Sequence, residues 1–439
     1  MPETVQLDDR VYSTRLDDGP RVLSEHIPGL RSVAVGIWVP WGASHDGAER
    51  MGAAHLLEHM IFKGTERRSA REIALEIEGI GGALDAYTSR EHTACHARVL
   101  DEHLPMAVDV LTDLIFHPLL RPEDLELERQ VILEEIAGVE DTPEELVFDL
   151  HAAALWDDHP YGRPVLGTAD TVRAISRDDL ETLWRTAYRP ETCVVAAAGN
   201  VSHEALLELV ARNFPNSDGN KEAPSVPEPT PAAPETVHIR RDSAQVHICL
   251  GASLFPRSDP RRYAAILVST ALGGGMSSRL FQRVREELGL AYTVYSYQSF
   301  YDRGGHAGVY MATRSDTALR AVDEVREELG EVAANGMSEE ELSSIKRQTK
   351  GQVVLSLESS SARLQRLAGV ALYGEPYLKL DEICARIDAV SEAEVARICR
   401  EHYAPERQTI ISLGPDGGAA AQNRDPVRLE DSVGNSEKG

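Results

Sequence analysis

No apolar stretch in the 439 residues approaches the roughly 20 that a membrane-spanning helix needs, which argues against a helical membrane protein. Basic residues are scarce as well: 45 Lys and Arg against 71 Asp and Glu leave a formal net charge of −26. Phosphate backbones and anionic lipid headgroups are bound by basic surface, so neither nucleic acid nor a membrane is an expected partner, while a cationic peptide remains compatible. The five cysteines, Cys95, Cys193, Cys249, Cys384 and Cys399, are odd in number and scattered, with no CxxC. That excludes a disulfide framework and a thiolate zinc site and reads as reduced thiols. The first residues, MPETVQLDDRVYSTRLDDG, contain neither an apolar core nor an Arg-rich amphipathic presequence, which predicts no signal or transit peptide and a cytoplasmic location.

What is present is the composition of a globular protein, 42% hydrophobic and 26% charged, in a chain long enough for two to four domains with real cores. The clearest boundary is the proline-rich, apolar-poor stretch 214–236, read as an extended linker between halves 1–213 and 237–415. The two halves look related. YGRPVLGTADTVRAIS from Tyr161 resembles YGEPYLKLDEICARIDAVS from Tyr373, and a helix capped at Ser176 or Ser391 follows, then Tyr188-x-Pro-Glu or Tyr403-x-Pro-Glu and an apolar strand. From those serines onward the offset is constant at 215 residues, and SVAVGIWVPWG from Ser32 resembles AQVHICLGASL from Ala244. The expected fold class is therefore α+β, a tandem duplication of one unit with helices packed on a mostly antiparallel sheet. Residues 416–439 read as a disordered tail.

Into this scaffold the stretch HLLEHMIFKGT, residues 55–65, sets two histidines one helical turn apart. Neutral imidazoles at i and i+4 can bind one zinc ion. Glu58, displaced from the pair but on the same side, is placed to reach a water as general base, a reversal of the HExxH order. The plain alternative is a helix carrying two satisfied histidines. The duplication supplies a control: the matching helix of the second half has Val268 near position 55 and Ala271 and Leu272 near 58 and 59, so the fold itself needs neither histidine nor glutamate there.

A catalytic zinc would also take a carboxylate. In RPEDLELERQVILEEIAGVEDTPEEL, Pro122 marks a helix start, and Leu125, Ile132, Ile136 and Val139 form an apolar stripe. Glu128 and Glu135, seven residues apart, project beside that stripe, where a carboxylate is costly unless paired or on a metal. Periodicity leaves Glu134 open as a competitor.

HLLEHMIFKGT together with ERQVILEEI resembles the pitrilysin-type zinc metallopeptidases, the inverzincins, and most closely their short branch of bacterial proteins similar to the mitochondrial processing peptidase. The resemblance runs over most of residues 10–415. It implies a zinc endopeptidase acting on short or unfolded peptides enclosed in a dimer chamber, with one Zn2+ per chain held by His55, His59 and Glu135, the last lying 76 residues after His59. It makes Glu58 the base and Glu128 an outer support. Asp85, Ala86, Tyr87 and Thr88, in GGALDAYTSREHT, resemble a substrate-pairing edge strand, although Asp85 stands where the family has Asn. The glycines Gly273, Gly274 and Gly275, in LGGGMSSRLFQRVREELGLAYTVYSY, resemble the family's glycine-rich segment. Arg285 and Tyr292 resemble its Arg-to-Tyr pair, suited as donors to a developing oxyanion and expected to act in trans in a homodimer. Read from the residues alone, the glycines are a flexible helix start, Arg285 a solvated charge and Tyr292 a core tyrosine. Family members that have lost catalysis serve as scaffold subunits, and a peptide-binding protein of the same fold is a further alternative. His92 and His96 read as one face of a strand lining the substrate, His159 as a turn residue, and Asp141, Glu144 and Glu145 as solvated acids.

Overall fold

The computed structural model describes residues 3–17, 19–216, 225–415 and 423–424. Strands β1 (Thr4–Asp8), β2 (Val11–Arg15), β3 (Arg21–His26), β4 (Ser32–Val39), β5 (Ala83–Thr88), β6 (Thr93–Leu100) and β7 (Val194–Gly199) form a seven-stranded sheet in the order β1-β2-β3-β7-β4-β6-β5. Strands β8 (Thr236–Arg240), β9 (Val246–Leu254), β10 (Ala291–Phe300), β11 (Gly305–Thr313), β12 (Thr409–Gly414) and β13 (Asn423–Arg424) form a second sheet in the order β10-β11-β9-β12-β8-β13. Pairing is antiparallel except at β3–β7, β8–β12 and β8–β13. The α+β duplication is what the structure contains.

The central strands explain why their sequences run apolar instead of alternating. On β4, Val33, Val35, Ile37 and Val39 pack on one side with helices α1 (Ala53–Ile61), α3 (Leu104–Phe116) and α4 (Pro122–Asp141), while α2 (Ala70–Glu78) sets Ile73 and Ile77 against Val110 and Leu114 of α3. Ala34 and Trp38 pack on the other side, against Leu364, Leu367 and Ala368 of helix Ser360–Leu372. β9 repeats the arrangement. Val246, Ile248 and Leu250 meet helix Arg262–Gly273, and Cys249 meets Leu146, Val147 and Leu150 of α5 (Pro143–Trp156). A strand covered on both faces has no solvent side on which to place polar residues.

Contacts divide the chain into two compact units, and the division is not the single cut at the linker that the sequence suggests. The first unit comprises residues 1–136, 164–226 and 354–379; the second comprises 137–163, 227–353 and 380–439. Each half of the sequence thus supplies one helix to the sheet of the other, α5 to the second unit and Ser360–Leu372 to the first. The two exchanged segments occupy equivalent places in the duplication, which is why the exchange is reciprocal.

Local signals behave as chemistry requires. Ser176 and Ser391 cap their helices, each in a capping box with the acid three residues on, Asp179 and Glu394. The cysteines are free, four buried and Cys384 half-buried. Of the linker, 217–224 lie outside the described residues, 225–235 have no regular structure, and Thr236 already begins β8. The tail expected to be disordered also lies outside them, except Asn423–Arg424, which pair with β8. Among the described residues no helix is long and apolar enough to cross a membrane.

The two-sided burial of the first sheet has a measurable consequence. Leu367→Ala, at a fully buried position, should destabilise the protein by about 2–5 kcal/mol in chemical or thermal unfolding. Leu355→Ala, at a position 71% exposed, should change stability by less than about 0.5 kcal/mol.

Candidate metal centre

The site is built on α1 and on the part of α4 up to Ile136, both of which belong to the first unit. Helix α1 starts at Gly52, whose φ of 89° and whose approach to the Leu166 carbonyl (2.4 Å from where a Cβ would sit) admit only glycine. The buried carboxylate of Asp46 accepts a hydrogen bond from the Ala54 amide at 3.1 Å, satisfying one of the free donors of that helix start. Leu56, Leu57, Met60 and Ile61 are buried, so the opposite side of α1 presents His55, Glu58 and His59, all half-buried. The turn after α1 is tied down by Asp113, a fully buried carboxylate on α3 that accepts from Thr65 Oγ1 at 2.7 Å, Arg67 Nε at 3.1 Å and Arg68 Nη1 at 2.7 Å.

α4 packs Leu125, Ile132 and Ile136 into the core and carries Glu128 and Glu135 toward α1. His55 Nε2 lies 3.8 Å from one Glu135 oxygen and His59 Nε2 3.7 Å from the other. These separations exceed a hydrogen bond, yet suit atoms that each sit about 2.0–2.2 Å from a shared zinc ion. One ligand atom from each of His55, His59 and Glu135 falls within 4.8 Å of the others, the one such group of three or more His, Cys, Asp or Glu found among the described residues. Glu135 over Glu134 is therefore a geometric result, where periodicity had left both open.

The second oxygen shell is equally specific. His59 Nδ1 donates to Glu128 Oε2 at 3.0 Å, which leaves Nε2 with its lone pair toward Glu135. Glu128 is almost fully buried, and Lys63 Nζ pairs with its other oxygen, Oε1. Burial, with His59 beside it, lowers the His55 pKa to about 4, so His55 is neutral and able to ligate near pH 7. Two imidazoles and a carboxylate form the donor set of a catalytic zinc site. The residues present fit the ion that the sequence suggests.

Glu58 is held by Thr88, whose Oγ1 donates to Glu58 Oε2 at 2.5 Å, with Thr93 Oγ1 a further 3.3 Å from Thr88 Oγ1. Burial raises the Glu58 pKa despite that bond. Thr88 ends β5, which lies at the edge of its sheet and, among the described residues, pairs only with β6. Asp85, Ala86, Tyr87 and Thr88 are thus on an open strand that packs against α1. Asp85 Oδ1 accepts from the Ala86 amide at 2.9 Å.

In the second unit, the Arg285 guanidinium stacks over the Tyr292 ring at 4.4 Å and over Phe281 at 4.6 Å. Tyr292 is 76% exposed, which rules out its reading as a core tyrosine. The glycine run also differs from the flexible helix start read from the residues: Gly273 ends a helix, and a Cβ there would lie 2.2 Å from the Ser296 amide of β10. Close backbone packing, not mobility, requires that glycine. Val268, Ala271 and Leu272 on this helix are buried, as the duplication control demands.

His92 lies in the turn before β6 and not in the strand, within 3.3 Å of the Tyr87 hydroxyl, while His96 on β6 donates to the Asp85 carbonyl at 3.0 Å. His159 caps a turn by accepting from the Tyr161 amide. One site residue, Lys63, is not singled out by the sequence, although it stands four residues after His59, one helical turn on. Thr88 is singled out as part of a substrate strand, but nothing in its neighbourhood signals its bond to Glu58, 30 residues away.

Residues 21–169 match the family described as Insulinase (Peptidase family M16), and residues 174–349 match the Peptidase M16 inactive domain. A protein of Streptomyces coelicolor named an uncharacterized zinc protease is 39% identical over 430 residues, 96% of this chain and 92% of that protein. A similarly named protein of Bacillus subtilis, YmxG, is 36% identical over 400 residues, 91% of this chain and 97% of that one. Two solved structures share the fold at TM-score 0.86. One, a peptidase M16 inactive domain from Pseudomonas fluorescens, is 22% identical and covers 93% of this chain and 99% of its own. The other, a protease from Helicobacter pylori, is 20% identical and covers 94% and 99%. Relatives this similar over nearly the whole length place the chain in peptidase family M16, the pitrilysin-type peptidases.

Proposed function

We propose that the protein is a zinc-dependent endopeptidase of the HxxEH type that cleaves short or unfolded peptides. The observation that carries this reading is the convergence of His55, His59 and Glu135 from two helices, with Glu58 fixed beside them by the strand that would receive substrate. The inactive-domain match lies over 174–349, where the equivalent helix has no histidine. A catalytically silent scaffold would have no use for the intact set in the first half. The names of the relatives, zinc proteases, agree with the reading.

Zinc held by His55, His59 and Glu135 lowers the pKa of water and polarises a carbonyl. The chain's own groups do the remaining work. The open edge of β5 pairs with the main chain of an extended peptide, which selects unfolded segments and leaves preference to side-chain contacts. Glu58 takes a proton from the attacking water and delivers it to the leaving amine. Arg285 and Tyr292, already stacked on each other, donate to the developing oxyanion. One chain carries both motifs, so the proposed assembly is a homodimer enclosing a chamber, with the pair of one subunit serving the centre of the other.

Three outcomes follow. Glu58→Gln should keep its zinc and lose about 10²–10⁴ of the turnover of an unstructured peptide. Thr88→Val should keep zinc and lower kcat by roughly 10-fold, while Thr88→Ser, which retains the hydroxyl, should stay close to the parent. Inactive Glu58→Gln chains mixed with inactive Tyr292→Phe chains under subunit exchange should regain activity; exchange without recovery would contradict action in trans.

A further inference from the structure

The Lys63 side chain belongs to neither the ligand set nor the proton path, yet the surrounding bonds give it a defined task. Its Nζ pairs with Oε1 of Glu128, the carboxylate whose Oε2 accepts the His59 Nδ1–H. Its backbone carbonyl accepts from Arg121 Nη2 at 2.8 Å, and Arg121 Nε in turn donates to Asp124 Oδ2 at 2.7 Å in the first turn of α4. Lys63 is therefore tied to α4 at two points, through the main chain near the start of that helix and through the ammonium two turns further on. Its own amide donates to the Met60 carbonyl, which keeps it on the final turn after α1, one turn beyond His59.

Exposure distinguishes this pair from an ordinary surface salt bridge. The Glu128 side chain is 6% exposed and that of Lys63 35%. A carboxylate so far from water needs a partner on each oxygen. With both occupied it can take only one orientation, and that orientation holds the His59 ring. We propose that Lys63 is a positioning residue of the metal centre: by fixing Glu128 against His59 it sets the affinity of the site for zinc. The proposal rests on the zinc reading above. Without the ammonium, one oxygen of a buried carboxylate is unpaired, and Glu128 is free to rotate away from the imidazole. His59 then loses both its fixed tautomer and the negative group that makes it a stronger ligand, an outer-shell effect worth about 10–100-fold in metal affinity.

The test is zinc affinity, measured by competition with a chelator of known strength on the full chain, for the parent, Lys63→Met, Lys63→Arg, Glu128→Gln and the Lys63→Met/Glu128→Gln double variant. Thermal unfolding of each metal-free protein runs alongside. Lys63→Met should weaken zinc binding by about 10-fold or more, and Lys63→Arg, which retains a cation that can reach the carboxylate, should restore most of it. In the Glu128→Gln background, Lys63→Met should change affinity by less than about twofold, because the group through which it acts is gone. A merely structural lysine would lower the unfolding temperature without this dependence on Glu128. Parent-like affinity in Lys63→Met, or an undiminished loss in the Glu128→Gln background, overturns the proposal. Failure of the parent itself to take up zinc overturns the zinc reading with it, which separates the two.

Discussion

The hydrogen bond from His59 Nδ1 to Glu128 is the contact on which the rest of the site depends. It joins the helix that carries the histidines to the helix that carries the third ligand, and it selects which imidazole nitrogen faces inward. Once α4 is anchored at Glu128, Glu135 follows two helical turns later on nearly the same azimuth, between the two imidazoles. The anchor is buried and paired on both oxygens, so it resists the loss of geometry that a surface acid would suffer. His55 has no equivalent support: its buried Nδ1 has no hydrogen-bond partner among the described residues, which leaves Glu128 as the main orienting element of the pair.

A scaffold that needs no catalytic residues carries this contact. The duplicated unit packs helices on both faces of its central strand, and the exchanged helices α5 and Ser360–Leu372 cover one face of each sheet. In the second copy the helix matching α1 is filled with Val268, Ala271 and Leu272, all buried. The first copy keeps the same fold while placing imidazoles and carboxylates where the second has hydrocarbon. Burial makes unpaired polar groups costly, and the pairing of Lys63 and His59 with Glu128 and of Thr88 with Glu58 is the consequence, His55 Nδ1 being the exception.

Much of this was legible in the sequence, and the parts that were not share a physical cause. The strands around Ser32 and Ala244, the capped helices at Ser176 and Ser391 and the histidine helix all announce themselves through local pattern: period, cap and spacing. The i, i+4 histidines and the seven-residue spacing of Glu128 and Glu135 are facts of a single helix and survive without tertiary information. Choosing Glu135 over Glu134 from the residues alone did not, because adjacent helical positions differ by 100° and only the partner helix decides between them. The bond from Thr88 to Glu58 joins a strand to a helix, and the division into units depends on which sheet a helix finally covers. The packing role of Gly273 is hidden from local pattern for the same reason, since the demand for glycine there comes from Ser296 on another element.

X-ray absorption at the zinc edge, on the full protein loaded with one equivalent of metal, addresses the central claim most directly. The account predicts a first shell of nitrogen and oxygen alone, at about 2.0–2.2 Å, with the multiple-scattering signature of two imidazoles that falls to one in His59→Ala. A sulfur neighbour at about 2.3 Å, or a spectrum unchanged by removal of His59, would place the metal elsewhere and contradict it.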